Sequence, residues 1–243
     1  MYKYKNFLKK LKKIMPNNIK PKFKNEKELF FWNQKQGIIS SKTIIKKNKI
    51  KKIKKNFNQS GIKKLYINCS FNNYKIFNQG QKKALLAAKK YAKKFHKNIA
   101  NFIFSGKSGT GKNHLASAIG NYLIINGKSV LIVTVADLMS NMKNTFNKKN
   151  NTTEEKLLNK LSTVDLLIID EIGIQTESRY EKIIINQIVD RRSSSKLSTG
   201  MLSNLDYKGM NILLGERVID RMRLGNSLWV NFEWESYRKN IKN

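Results

Sequence analysis

From residue 99 onward, short apolar runs alternate with stretches whose apolar positions recur every three or four residues. Uninterrupted apolar runs indicate strands that are buried on both faces, and the longer repeat indicates helices. The strand candidates are "ANFIFSG", "SVLIVTVAD", "VDLLIIDE", "KLSTGMLSN" and "NSLWVNFEW". Helices are predicted in "NHLASAIGNYLIING" and over about 136–146, 153–161, 177–192 and 206–223. The alternation predicts a three-layer α/β/α fold around a parallel sheet.

Two apolar-periodic stretches near the N-terminus also predict helices. In "MYKYKNFLKKLKKIMP", Phe7 and Leu8 begin an apolar face whose other positions are filled by lysine. The second stretch, "EKELFFWNQKQG", contains Trp32 and is expected to end at Gly37. No run of about 18 apolar residues occurs, so no membrane-spanning segment is expected.

The pattern changes near residue 65, and this change divides the chain. We expect a small all-α module over residues 1–50, a basic linker over 51–65 and the α/β domain over 66–243. A module of this size buries little apolar surface by itself. Its apolar positions, Trp32 among them, therefore form either a mini-core or a docking surface for a partner.

The composition is strongly basic, with 49 lysines and arginines against 16 acidic residues and a net charge of +33. The excess of lysine has two explanations. One is attraction of a polyanionic partner, and the other is biased codon use in an AT-rich genome, which would enrich lysine and asparagine wherever the fold tolerates them. In either case such a chain attracts polyanions. Only seven of the basic residues are arginine, all in the final third, which suggests positions that need a planar guanidinium. The single cysteine, Cys69, excludes an internal disulfide and favours a reducing, cytoplasmic location.

The first strand candidate runs into "GKSGTGKN", which fits the phosphate-binding pattern G-x-x-x-x-G-K-[ST] at every position except the last. In such a loop, backbone N–H groups and the N-terminus of the following helix bind phosphates, and the lysine reaches the β- and γ-phosphates. A predicted strand before the loop and a predicted helix after it are the context that the motif requires. The candidate nucleotide-binding residues are Gly106, Lys107, Ser108, Gly109, Thr110, Gly111, Lys112 and Asn113.

The run "VDLLIIDE" ends in Asp170, expected in the shell of a Mg²⁺ ion, and Glu171, expected to position or polarise the attacking water. One strand candidate lies between this run and the phosphate loop, which favours the additional-strand P-loop ATPases over kinase or GTPase types. The departure from the loop pattern is Asn113, where a hydroxyl usually binds Mg²⁺. A carboxamide oxygen is also a hard ligand. Asn113 therefore either binds the ion, directly or through water, or weakens metal binding and slows turnover.

Four blocks, "GKSGTGKNHLA", "VDLLIIDEIGIQTES", "YEKIIINQIVDRRSSSK" and "LLGERVIDRMRLGNSLWVNFEWESYR", resemble the DnaC family of bacterial replicative helicase loaders. The stretches "IKPKFKNEKELFFW" and "FNQSGIKKLYINCSF" extend the likeness over nearly the whole chain. The asparagine after the P-loop lysine belongs to that family's pattern, and the main departure is lysine and asparagine enrichment in linkers and loops. The resemblance implies a small helical module followed by an AAA+ ATPase domain related to the initiator DnaA.

The resemblance also implies roles for residues outside the two motifs. Asn204 matches sensor 1, Arg221 matches the arginine finger that acts on ATP held by an adjacent protomer, and Arg238 matches sensor 2. Arg217 and Arg223 share the segment of Arg221, but salt bridges within the chain are the alternative role for these two residues.

AAA+ proteins build their adenine pocket in the segment before the sheet, where the candidate lining residues are Cys69, Phe71 and Tyr74. For Cys69, a simple buried thiol is the alternative.

Two kinds of macromolecular contact follow from the same resemblance. Single-stranded DNA is expected at Phe146, Ser178 and Tyr180, where the aromatic rings would stack on bases, although such aromatic residues are also typical of a core. The helical module is expected to bind a DnaB-type hexameric helicase through Phe7, Leu8 and Trp32.

The expected function is that of an ATPase, with ATP and Mg²⁺ as cofactors, that loads this helicase onto single-stranded DNA at the replication origin. Slow, switch-like hydrolysis and self-association through the AAA+ domains on the helicase are part of this hypothesis. The two rivals are an IstB-like transposition accessory ATPase and a non-hydrolysing adaptor that binds single-stranded DNA.

Overall fold

Five parallel strands form a sheet in the order β2-β3-β4-β1-β5. The computed structural model describes residues 10, 13–14, 26–95, 99–146, 153–173 and 178–237. The strands are β1 (Phe102–Gly106), β2 (Val130–Thr134), β3 (Leu166–Ile172), β4 (Ser198–Ser203) and β5 (Leu228–Phe232). All five strand predictions are confirmed.

Eight α-helices lie within the described ranges. They are α1 (Glu26–Gln59), α2 (Gln79–Lys94), α3 (Lys112–Ile125), α4 (Val135–Thr145), α5 (Glu154–Thr163), α6 (Arg179–Ser194), α7 (Tyr207–Leu214) and α8 (Glu216–Met222). Short polar side chains accept a backbone N–H at the start of five of them and so satisfy groups that the helix leaves unpaired. These caps are Asn78, Thr134, Thr153, Ser178 and Asp206.

Alternate strand residues face opposite layers of helices. Phe102 and Phe104 pack on the side of α2 and α3, whereas Ile103 packs on the side of α4 to α8. Period-two alternation within uniformly buried strands is what a sheet covered on both faces requires. The predicted three-layer α/β/α architecture is confirmed.

Two predicted helix boundaries are wrong. Helix α1 continues through Gly37, because one glycine costs a helix only about 1 kcal/mol and no proline follows. The chain leaves the helix at Gly61 (φ 66°), where a Cβ would lie 2.3 Å from the carbonyl oxygen of Ile132. The helix predicted over 206–223 is two helices, divided at Gly215 (φ 81°).

The chain divides into two compact units, Met1–Lys52 and Ile53–Asn243. The end of α1 belongs to the second unit, where Ile53 and Phe57 pack against the core. Part of the stretch expected as a linker, 51–65, is therefore helical. Among the helices of the described ranges, none combines the length and the apolarity that a membrane crossing requires.

Candidate active site

The phosphate-binding loop connects β1 to α3 and contains two glycines that the structure requires. Their backbones lie in the left-handed region, with φ of 73° at Gly109 and 98° at Gly111. A Cβ at Gly109 would lie 2.0 Å from the Oγ of Ser236, and one at Gly111 would lie 2.9 Å from the Tyr74 ring. The loop borders a cavity of about 680 Å³, within the range of about 300–1,000 Å³ that holds small ligands.

Lys112 begins α3 and is 6% exposed. Its ammonium group donates three hydrogen bonds, to the carbonyl oxygens of Gly106 (2.5 Å) and Lys107 (2.7 Å) and to the Oδ1 of Asn204 (2.9 Å). Burial lowers the pKa of Lys112 to about 8, although the charge of Asp170 opposes part of this shift. The structure thus joins Lys112 directly to the end of β4, where Asn204 was predicted to act.

Asp170, near the end of β3, is almost fully buried, and both of its oxygens accept hydrogen bonds. The backbone N–H of Glu171 donates to Oδ1 at 2.7 Å, and the side-chain nitrogen of Asn113 donates to Oδ2 at 2.6 Å. Burial is the main cause that raises the pKa of this carboxyl above its ordinary value. Because Asn113 turns its nitrogen toward the acid, its carboxamide must rotate by half a turn to offer oxygen to a cation at Asp170.

Glu171 has a left-handed backbone (φ 62°), at the point where the pairing of β3 with β4 shifts register between Ile169 and Ile172. This conformation costs a residue that carries a side chain about 1–3 kcal/mol. Bulges and strained residues recur beside active sites because they redirect side chains. Glu171 lines the same cavity as Lys112 and Asp170.

A second wall of the cavity comes from the segment before α2. Cys69 and Tyr74 line it together with His114 of α3. The Nε2 of His114 lies 3.1 Å from the carbonyl oxygen of Ser70, and its Nδ1 lies 3.5 Å from the Cys69 sulfur. Since a carbonyl only accepts, the Nε2–H of His114 donates to Ser70. Burial raises the pKa of the Cys69 thiol.

Phe71 was expected in this wall, but its ring packs against Tyr122 and the core. Asn121, which the sequence did not single out, holds the wall in place from α3. Its side-chain nitrogen lies 2.8 to 3.1 Å from three backbone carbonyl oxygens, those of Tyr66, Ile67 and Cys69.

The segment after β5 lies against the phosphate loop, a contact that the sequence did not predict. The indole nitrogen of Trp234 donates to the carbonyl oxygen of Thr110 at 2.9 Å, and the backbone N–H of Tyr237 donates to that of Gly109 at 2.8 Å. The only local signal was the aromatic density of "WVNFEWESY". Arg238, the sensor 2 candidate, follows Tyr237 and lies outside the described residues.

Arg221 is not among the described residues that line this cavity. Its Nε lies 2.6 Å from the Oδ1 of Asp190, and Arg217 contacts the other oxygen of Asp190 at 2.7 Å. Arg223 donates to the hydroxyl of Tyr207 at 2.7 Å. Each of these three arginines therefore has a partner within its own chain.

The three residues predicted to contact DNA meet at the start of α6. The ring centroids of Phe146 and Tyr180 lie 6.4 Å apart, and Phe146 is 64% exposed. Ser178 caps α6 by accepting the backbone N–H of Glu181. Among the described residues, the Tyr180 hydroxyl has no hydrogen-bond partner.

Of the residues predicted to bind the helicase, Trp32 lies on α1 and is 37% exposed. Phe7 and Leu8 lie outside the described residues. Helix α1 also exposes further large apolar side chains within the first unit, namely Phe30, Phe31, Ile38, Ile39, Ile44, Ile45 and Ile50.

Comparison with known proteins identifies the family. The family model of IstB-like ATP binding proteins matches residues 40–243. A replicative helicase loader DnaC from Buchnera aphidicola subsp. Baizongia pistaciae is 71% identical over 235 residues, which cover 97% of this chain and 96% of that protein. The chain belongs to the DnaC family of replicative helicase loaders. The DnaC of Escherichia coli (strain K12) is 59% identical over 97% of this chain and 96% of its own.

Solved structures confirm the AAA+ fold expected for a DnaC family member. A crystal structure of the DnaC helicase loader matches with a TM-score of 0.61 at 24% identity, over 70% of this chain and all of that one. The replication initiator DnaA bound to AMPPCP and single-stranded DNA matches with a TM-score of 0.60 at 21% identity, over 72% of this chain and 51% of that one.

The affinity of the chain for ATP is expected to fall about tenfold between pH 7 and pH 9, because the Lys112 ammonium loses its proton with a pKa of about 8 and a neutral amine attracts phosphate weakly. Titration with a fluorescent ATP analogue across this range measures the effect. Lys112→Arg serves as the control, since a guanidinium stays protonated and its residual affinity should not change with pH. A wild-type affinity that is flat over the same range would contradict the prediction.

Glu171→Gly is expected to be more stable than Glu171→Ala by about 1 kcal/mol, because glycine adopts a positive φ without strain. At a strand position with ordinary backbone angles, the alanine variant would be the more stable of the two. Both variants lack the carboxylate, so the comparison isolates the backbone. Urea unfolding midpoints of the two proteins provide the measurement, and an equal or higher midpoint for the alanine variant would show that Glu171 is unstrained.

Proposed function

We propose that this chain is an ATP-dependent loader that binds a DnaB-type ring helicase and delivers it onto single-stranded DNA when replication begins. The observation that carries the proposal is the 71% identity to a replicative helicase loader over 97% of this chain and 96% of that protein. Almost none of the chain lies outside the match, so the likeness includes the N-terminal module as well as the ATPase domain.

The cavity fits ATP and Mg²⁺ by its chemistry. Lys112 exchanges its loop carbonyl partners for the oxygens of the β- and γ-phosphates. Asp170 and Asn113 would hold Mg²⁺, an ion that prefers oxygen ligands, and its charge would offset that of the phosphates. Glu171 orients the attacking water, and Asn204 is held beside it through its hydrogen bond to Lys112.

Hydrolysis in this proposal needs two protomers. Arg221 is not among the described residues that line the cavity of its own chain, which supports a role on ATP held by an adjacent protomer. Arg238 reads the γ-phosphate from within the same protomer. ATP then favours the assembled state on the helicase, and a single slow round of hydrolysis permits release.

Single-stranded DNA binds at the aromatic pair formed by Phe146 and Tyr180. An exposed ring beside a second ring offers a stacking platform, and base stacking on such side chains is worth about 1–3 kcal/mol per base. Ser178 fixes the start of α6 and so the position of Tyr180. The excess of lysine adds attraction to phosphate that decreases with salt.

The helical module, residues 1–50, binds the helicase through Phe7, Leu8 and Trp32. The apolar side chains that α1 exposes favour a docking surface over a mini-core, because a mini-core would bury them. Residues 51–65 connect this module to the AAA+ domain, residues 66–243.

A transposition accessory ATPase is the second candidate, since the IstB-like family model matches the AAA+ domain. That match begins at residue 40 and leaves out most of the helical module, whereas the alignment with helicase loaders includes it. The module is therefore the feature that favours the loader.

Immobilised full-length chain is expected to retain a ring helicase from solution, and Trp32→Ala is expected to weaken this retention about tenfold, as loss of an aromatic anchor does. Ile212→Ala, which removes a more exposed apolar side chain from the second unit, is the matched control and should retain the helicase normally. Retention of a transposase in place of the helicase would favour the second candidate. Equal retention by both variants would contradict the role of Trp32.

A further inference from the structure

Two residues of its own chain hold Arg221 in place, one through the side chain and one through the backbone. Asp190 on α6 contacts the guanidinium, with its Oδ1 2.6 Å from Nε. Asn101, 2% exposed, donates from its side-chain nitrogen to the carbonyl oxygen of Arg221 at 3.0 Å. Neither residue lines the nucleotide cavity.

The edge of the guanidinium that Asp190 engages determines what the rest of the group can do. The Oδ1 of Asp190 lies beside Nε as an ion-pair partner without a hydrogen bond, and within the described residues the two terminal nitrogens of Arg221 have no hydrogen-bond partner. A guanidinium presents a planar fork of donors, and the terminal pair is the edge suited to two oxygens of one phosphate. The ion pair therefore keeps the guanidinium beside α6 and leaves its outer edge available.

The backbone contact fixes the base of the same side chain to the sheet. The side-chain Oδ1 of Asn101 accepts the backbone N–H of Thr199 in β4 at 2.8 Å. The backbone carbonyl oxygen of Asn101 accepts the backbone N–H of Leu228 in β5 at 2.9 Å. Arg221, near the end of α8, is thus connected through one buried amide to the strand that ends beside Asn204. Apolar packing of α6 against α8 holds Asp190 in register, through Ile188, Val189, Val218 and Ile219.

We propose that Asp190 is a positioning residue for hydrolysis, which aims the terminal nitrogens of Arg221 at ATP bound by the neighbouring protomer. This inference rests on the proposed role of Arg221 as an arginine finger. A long side chain that is held before it meets its target loses less conformational freedom in the transition state. Asp190 acts only through Arg221, so it matters in the protomer that supplies the finger and not in the protomer that holds ATP.

Mixed assemblies of full-length chains test this assignment. Lys112→Ala supplies a finger but no working ATP site, and Arg221→Ala supplies an ATP site but no finger. Each variant alone is expected to be inactive, and their mixture should recover hydrolysis of ATP stimulated by single-stranded DNA. Asp190→Asn is then added to one partner at a time.

Asp190→Asn in the Lys112→Ala partner is expected to lower the recovered rate about tenfold, as a displaced catalytic group does. The same substitution in the Arg221→Ala partner should leave the rate unchanged, which also serves as the folding control because both arms contain the same change. Glu155→Gln in the Lys112→Ala partner removes another surface ion pair, that with Arg191, and should have no effect.

Equal losses in both arms would assign Asp190 a merely structural role, and no loss in either arm would also overturn the inference. If the Arg221→Ala protein alone hydrolyses ATP at the wild-type rate, the assignment of Arg221 as the arginine finger is wrong. The proposed function then fails at that step, independently of Asp190. Asp190→Glu in the finger-supplying partner should restore part of the rate, because it keeps the charge.

Discussion

Three hydrogen bonds hold the Lys112 ammonium group between the phosphate-binding loop and the end of β4. Burying this charge is costly, as its lowered pKa shows, and oxygen acceptors offset the cost. Two of the acceptors are loop carbonyls and the third belongs to Asn204. The Lys112 ammonium group, which is predicted to bind phosphate, therefore also connects the loop to a neighbouring strand. An anion that attracts this group competes with its hydrogen bond to Asn204.

The order of the strands explains why the functional groups meet. With β1 between β4 and β5, and all strands parallel, the phosphate loop, Asn204 and the segment after β5 emerge at one edge of the sheet. Trp234 and Tyr237 contact the loop, and Lys112 binds two of its other carbonyl oxygens. The phosphate loop is therefore connected directly to the segment that follows β5.

Local pattern made the strands, the phosphate loop, Asp170 and Glu171 predictable, because each is encoded in fewer than ten consecutive residues. The family resemblance added Asn204, Arg221 and the residues that are expected to contact DNA. What could not be predicted depends on contacts between distant parts of the chain. Helix α1 ends at Gln59, just before the backbone of Gly61 approaches β2, and not at Gly37. The contact of Trp234 with Thr110 spans 124 residues, and neither residue alone signals it.

The central proposal is that nucleotide bound at Lys112 controls delivery of the helicase. The most direct measurement counts helicase rings transferred to circular single-stranded DNA by the wild-type chain and by Lys112→Ala, with and without ATP. We expect that both proteins bind the helicase, that wild-type transfer depends on ATP, and that the variant transfers no more rings with ATP than without it. ATP-dependent transfer by Lys112→Ala at the wild-type level would contradict this proposal.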